Sequence, residues 1–583
     1  MIKQLKSFVT IIIVSCLAYA CQQDEQSPIE KQNFKVAIAI SSEPDALNPV
    51  TSKTTNALSI TSLIFQKLLD VDFETLQTVP VLAANSPTIE QVNDSTILVH
   101  YQLRPEARWS NGSAITASDV VFTYKLACLP QISNAAHLPY LSFIRDIRVD
   151  TADSLRFTFV CSPNLRLLYS TGSEVAIMPE YLYDPQRQLS KYSFSQIVTN
   201  YTQLDADSTI IRFAETFNNP NLQRDSINVD GSGAYKLVQW ETDQKVVIQK
   251  KDNWWGDELQ GLNLYFQNEP QEISFYVITE AAPMIAAARN GQLDIGPIVK
   301  SADFVSLQED SSFLKSFELI NSPELSTNVI IVNSCKKALS SVKTRQALAH
   351  LFDTNGYIKT VQKLTSRRVI GPLHPSKEEY NHELIPYDYN LQKAKQLLTE
   401  DGWADSNNDG ILDKKIDGKN VKLELEYKYN TGNEGRKNAG LLFKEWASPA
   451  GVSIKLTNEE WLVYIQSMME HNFDLAFFSW TDEHAPTDPA PVYHTAAISN
   501  GYNFGCFGNA KSDSIINAIS VVVDDNNRKQ LWWELQEIMH NDVACIFLST
   551  NETRLFVSKK FELPVSGAVN PGFWAGSLKP IQP

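Results

Sequence analysis

"LRPEARWSNGSAITASDVVFTY" occupies residues 103–124, and its succession of end-of-strand, turn and cap signals decides the fold. Just upstream, "STILVHYQL" (95–103) alternates, with Ile97, Val99, Tyr101 and Leu103 on one face, which reads as a half-buried strand. Asn111-Gly112 is a turn dipeptide. Thr116 is then a good helix N-cap, and Asp119, at the N3 position, can complete a capping-box-like pair. Strand, turn and capped helix follow one another within one short stretch.

Outward from that stretch the alternation continues. "FKVAIAI" (34–40), "KVVIQKK" (245–251), "EISFYVI", "STNVIIVN" and "VKLELEY" read as strands. "ALSITSLIFQKLL", "EAAPMIAAARNG", "SSVKTRQALAHLF" after Ser340 or Ser341, "NLQKAKQLLTEDGW" after Asn390, and "RKQLWWELQEIM" read as helices. Strands alternating with helices place the chain in the α/β class. No internal repeat or low-complexity tract interrupts them.

The length of 583 residues supports more than one lobe. A net charge of −16 argues against nucleic acid, whose phosphates require concentrated Lys and Arg. Lys3 and Lys6 followed by "FVTIIIVSCLAYA" form a positive start and an apolar centre, short of the roughly 20 residues a membrane span needs. That pattern is a signal peptide over 1–20. Two lipoprotein-type boxes compete, "IVSC" ending at Cys16 and "AYAC" ending at Cys21. Cys21 is preferred because cleavage there leaves a fuller apolar centre and a polar tether over 21–33, "QQDEQSPIEKQN" with Phe34 beyond it. Acyl chains on Cys21 would anchor the mature protein to a membrane. The remaining cysteines, Cys128, Cys161, Cys335, Cys506 and Cys545, lack C-x-x-C spacing and read mostly as buried thiols; a pairing such as Cys128 with Cys161 stays open.

Catalytic signatures are missing from the sequence. No G-x-S-x-G elbow, P-loop or G-x-G-x-x-G is present, and the histidines lack H-E-x-x-H spacing. His484 and His494, in a Pro-rich loop, make a poor metal pair. "DSNNDGILD" (405–413) places Asp405, Asn407, Asp409 and Gly410 like a calcium loop. Ile416 stands where the bidentate Glu belongs, so a surface Asx/Gly turn is the expectation. The remaining dense cluster is "LAFFSW" running into Asp482, Glu483, His484 and Asp488, acids at the end of an apolar strand.

These segments resemble the bacterial extracellular solute-binding proteins of family 5, the oligopeptide- and dipeptide-binding type. The residues 103–124 carry the most recognisable part of the likeness. "SEPDALNP", "LIFQKLL", "GSGAYKLVQW" with "KKDNWWG", "AAARNGQLDI", "TRQALAHLFD" and "FDLAFFSW…DP" follow in family order over about 34–560. Ala234 departs from the family's usual proline, and "NDVACIFL" lacks another.

The resemblance implies a type II periplasmic-binding-protein-like clamp of two lobes with an additional inserted domain. The first lobe would combine 34–75, 205–300 and 551–583; the inserted domain would be 76–204 and the second lobe 301–550. A peptide would lie between the lobes and be delivered to the membrane subunits of an ABC importer by a monomeric, extracytoplasmic, lipid-anchored receptor without cofactor or enzymatic activity. By the same resemblance Trp480 matches a strand-end tryptophan. Glu483, or Asp482 one residue early, takes the acid that pairs with a peptide α-amino group. Trp461 lines side-chain pockets, and Lys53, Thr54 and Thr55 lie in a segment whose backbone adds to the peptide strand-fashion. Lys428 and Arg436 are nearby candidates for a peptide carboxylate. Ligand identity stays open, since relatives also bind oligosaccharides, nickel complexes or haem, and a sensor or scavenger would share the same body. A secreted hydrolase is the remaining alternative.

Overall fold

The computed structural model describes residues 34–132, 137–199, 204, 206–482, 484–562 and 566–581. The lipidation reading at Cys21, its tether, and Glu483 lie outside the described residues.

The 95–124 stretch folds as its residues dictate. Strand Thr96–Gln102 buries Ile97, Val99 and Tyr101 on one face, and Leu103 follows them into the core. Each such burial stabilises by about 1.5–3 kcal/mol. Gly112 takes φ +84°, the left-handed turn position that glycine tolerates. Helix Ala117–Cys128 begins after Thr116. The Asp119 carboxylate accepts from the Thr116 N–H at 2.9 Å and its hydroxyl at 3.2 Å, and also from the Glu180 N–H at 3.0 Å. Strand 96–102 sits second in an antiparallel four-stranded sheet ordered Thr88–Asn93, Thr96–Gln102, Arg156–Cys161, Ile144–Val149. The helix covers this sheet, packing Val120 and Tyr124 with Phe157 and Phe159.

A separate ten-stranded sheet organises the rest. Its order is Ser453–Glu459, Glu424–Asn430, Leu475–Thr481, Phe317–Val332, Cys545–Ser558, Ile295–Pro297, Lys35–Ile40, Glu272–Val277, Lys245–Lys250, Tyr235–Glu241. The early strands share one core with Ile38, Ile248, Ile273 and Val557. The late strands share another with Ile330, Leu425, Ile454 and Leu475. Two long antiparallel strands, of 16 and 14 residues, connect the halves. Their pairing slips between Glu324 and Thr327, and again between Asn328 and Val329. Such irregularities bend strands locally. The mixed α/β class is as expected, with helices over the sheet, but "STNVIIVN" is only the end of a strand that starts at Phe317. Helix Ser301–Gln308 packs Phe304 and Leu307 with Ala39 and Met284 on the early half.

Cys335 and Cys506 form a disulfide, while Cys128, Cys161 and Cys545 are buried free thiols, their pKa pushed up to about 12 by burial. The Cys128–Cys161 pairing left open above is therefore not formed, and the bridge joins residues 171 apart in sequence. Residues 405–413 form an Asx-type turn. Asp405 accepts the N–H groups of Asp409 and Gly410, and Asp409 pairs with Lys422. Among the described residues, no helix is long and apolar enough to cross a membrane.

Candidate functional site

Strand Leu475–Thr481 carries the apolar run into the sheet, antiparallel to Phe317–Val332 and parallel to Glu424–Asn430. Alternation buries Leu475 and Phe477 in one cluster and turns Phe478 and Trp480 toward another. Trp480 lies opposite Thr327 and stacks on Phe504, with centroids 5.9 Å apart and planes 17° apart. Its indole Nε1 is buried without a hydrogen-bond partner among the described residues.

Beyond the strand end, the Asp482 N–H donates to the Leu325 carbonyl at 2.7 Å. Its carboxylate accepts from the Thr487 hydroxyl at 2.7 Å and lies 3.8 Å from the Lys377 ammonium. Lys377, in turn, donates to the Ala485 carbonyl at 2.5 Å. Asp482 is thus engaged in holding its own loop. His484 Nε2 and the Tyr169 hydroxyl share a hydrogen bond of 2.7 Å. Burial, and then the cations Lys67, Lys377 and Arg166, push its pKa down to about 3, so it is a neutral imidazole. His494 has a different setting, accepting the Ala496 N–H at 3.0 Å.

Trp461 opens helix Trp461–Met469 and is 47% exposed. The Arg436 guanidinium lies 5.9 Å from its ring and 5.6 Å from that of Phe477. Arg436 donates to Asn430 Oδ1 at 2.9 Å and to Ser479 Oγ at 3.2 Å. From Ser479 a polar chain continues to Asn328 Oδ1 at 2.7 Å, and from Asn328 to Asn551 Oδ1 at 2.8 Å. Burial lowers the pKa of Arg436, although a guanidinium keeps its charge. None of the salt bridges among the described residues involves Arg436. Lys428 differs: it is buried and bonded to Glu459 at 2.7 Å and Ser467 at 3.3 Å, a structural ion pair with no spare charge for a ligand.

Residues 51–54 leave a turn and run irregularly into a helix; they are not a strand. Asp45 accepts the N–H groups of Lys53, at 2.9 Å, and Thr54, at 3.3 Å. Thr54 caps the helix that starts at Thr55. The strand-fashion pairing expected of this segment therefore lacks free N–H groups at residues 53 and 54. The structure brings Trp461, Arg436, Ser479, Trp480 and Asp482 together at one end of the late strands. Lys53 and Thr54 belong to the early half and bond to Asp45, and Thr55 begins the helix Thr55–Ile64. The polar chain through Asn328 and Asn551 had no sequence signal, because its members come from separate strands.

Residues 77–503 match the model of the bacterial extracellular solute-binding proteins, family 5 Middle. The chain belongs to this family. The oligopeptide-binding protein AppA of Bacillus subtilis (strain 168) is 22% identical over 520 residues, 87% of this chain and 84% of the relative. The dipeptide-binding protein of Escherichia coli (strain K12) is 24% identical over 325 residues, 55% and 56% of the two chains. Among solved structures, that of the periplasmic murein tripeptide-binding protein MppA, in its unliganded open form, superposes with a TM-score of 0.73 at 16% identity. It covers 94% of this chain and 98% of that one, a likeness that speaks for the fold alone. The family 5 chain thus has the mixed α/β architecture of its structural neighbours, with the sheet crossing between two cores.

Proposed function

We propose that this family 5 solute-binding protein captures a peptide between its two sheet halves and delivers it to an ABC importer from an extracytoplasmic position, held to the membrane through lipidated Cys21. One observation carries the peptide reading. Arg436 is a half-buried guanidinium flanked by Trp461 and Phe477, and among the described residues no acid pairs with it. A buried cation is costly unless something neutralises it, and a ligand carboxylate does so while the rings pack against its side chains. The names of the peptide-binding relatives point the same way.

In this reading Asp482 holds the loop through Thr487 and Lys377, which leaves Glu483 as the acid for a peptide α-amino group. Trp480 and Trp461 wall the cleft, and Lys53, Thr54 and Thr55 face it from the other lobe. The first lobe comprises 34–75, about 218–324 and 551–583, extended past residue 300 because Phe304 and Leu307 pack on the early half. The inserted domain covers 76–204 and continues to Phe217, whose side chain belongs to the same core. The second lobe takes the rest. The slips in the long strands make a hinge that lets a ligand-selected closed form present itself to a transporter.

A thermal-shift screen of di- to pentapeptides, their C-terminal amides, oligosaccharides and metal chelates tests this. Free-acid peptides should stabilise the protein, and amides should do so less. Stabilisation by sugars or chelates with none by any peptide would overturn the reading. Mass spectrometry of the mature N-terminal peptide should find acylated Cys21; acylated Cys16 refutes that assignment.

A further inference from the structure

Phe504, buried at 2% exposure, sits at the centre of an unusually well-tied loop. Cys506 is bonded to Cys335, just past the end of the long strand Phe317–Val332. The Ser334 N–H donates to the Gly505 carbonyl at 3.0 Å, and its hydroxyl lies 2.9 Å from the Gly505 and Cys506 carbonyls. From the other side, His471 lies against the loop, its Nδ1 2.8 Å from the Phe504 carbonyl and its Nε2 3.0 Å from the Ile498 carbonyl. Cys506 itself takes φ +56°, a backbone state that a residue with a side chain adopts when its surroundings over-determine it.

All these ties converge on one ring. Phe504 stacks on Trp480 and meets Phe478 edge-on at 5.6 Å. Among the described residues the Trp480 indole Nε1 has no hydrogen-bond partner, and its orientation is held by ring packing. We propose that the Cys335–Cys506 disulfide is a positioning element of the ligand site, fixing Phe504 and, through it, the Trp480 indole. The inference rests on the reading of Trp480 as a wall of the ligand cleft. A wall fixed in advance costs less to order on binding. Cys335 is exposed and Cys506 half-buried, so a reductant can reach the bond.

The test uses the full chain labelled with 5-fluorotryptophan, with Trp480→Phe serving only to assign its ¹⁹F resonance among the 11 tryptophans. Tris(carboxyethyl)phosphine reduces the disulfide to two thiols, itself becoming the phosphine oxide with oxygen from water. On reduction the Trp480 resonance should shift or broaden while most others stay, and affinity for tri-alanine and penta-alanine should fall about tenfold. Reoxidation should restore both. With the disulfide intact, Phe504→Leu should reproduce the loss and Phe504→Tyr should not. An unmoved Trp480 resonance after complete reduction overturns the proposal. So does global unfolding on reduction, since the bond would then hold the lobe and not the ring. If no peptide binds even the oxidised protein, the peptide reading fails on its own, and the fluorine resonance alone decides the role of the disulfide.

Discussion

Asp482 and Arg436 carry opposite charges in the same lobe, yet their surroundings treat them differently. The Asp482 carboxylate is met by Thr487 and Lys377, whereas among the described residues Arg436 has only amide, hydroxyl and ring neighbours. The ligand acid is therefore expected at Glu483. Glu483→Gln should weaken peptide binding by about 1.5–3 kcal/mol in titration calorimetry, the range for a charged hydrogen bond. Asp482→Asn should leave affinity within a factor of a few; if it causes the larger loss, the assignment is off by one residue. His374 supplies a second residue-scale expectation. Its Nδ1 accepts the Ser376 N–H at 3.1 Å, and its Nε2 is buried without a partner among the described residues. Burial, helped by Lys377 and Arg367, pushes its pKa down to about 4. Between pH about 6.5 and 4 the unfolded chain binds a proton that the folded chain refuses, so this histidine's contribution is full above that window and is lost as pH falls through it. The loss amounts to about 3 kcal/mol. Asp294 and Glu552, both buried and pushed upward by that burial, act with the opposite sign, so the measurement is a difference. Urea midpoints of wild type and His374→Asn should converge on acidification from pH 7 to 4; parallel profiles would count against a neutral buried His374.

At the scale of elements, what could be read in advance was what local rules decide. Thr116 and Asp119 announce a helix start because a capping box is short-range chemistry, and the alternation over 97–103 announces a buried face. Asp119 also accepts the distant Glu180 N–H, so its removal leaves more than a frayed end. Asp119→Ala is expected to cost about 2–4 kcal/mol, one lost cap plus unsatisfied buried N–H groups, and Asp119→Asn less. Urea unfolding followed by circular dichroism measures both. The strand Phe317–Val332 was legible only at its apolar end. "FELINSPEL" carries charges and Pro323, and only its pairing with Cys545–Ser558 makes a strand of it. The site divides the same way. Trp480 and the acids after it stood out as a strand-end cluster. The Arg436–Ser479–Asn328–Asn551 chain and the Cys335–Cys506 bridge depend on contacts between segments far apart in sequence, which no local periodicity records.

For the molecule as a whole, the two long strands are both the main connection between the cores and the place where their pairing slips. On the early side of the slips, residues 317–324 pair with 551–558; on the late side, 327–331 pair with 545–550. A sheet interrupted there can bend without breaking either core, since the apolar clusters lie to each side of it. If ligand lodged against Trp461, Arg436 and Trp480 draws the opposite half onto it through that bend, binding and closure should be one event. Small-angle scattering should then show a smaller radius of gyration with a saturating peptide. Under the same conditions, at a free concentration 100 times Kd, unfolding should be about 2.7 kcal/mol harder. Stabilisation without contraction would mean that the ligand binds one half alone, and the slipped register would lose its role as a hinge. Contraction that Arg436→Gln abolishes together with the stabilisation would tie the closed form to the cation that the described residues leave without an acid.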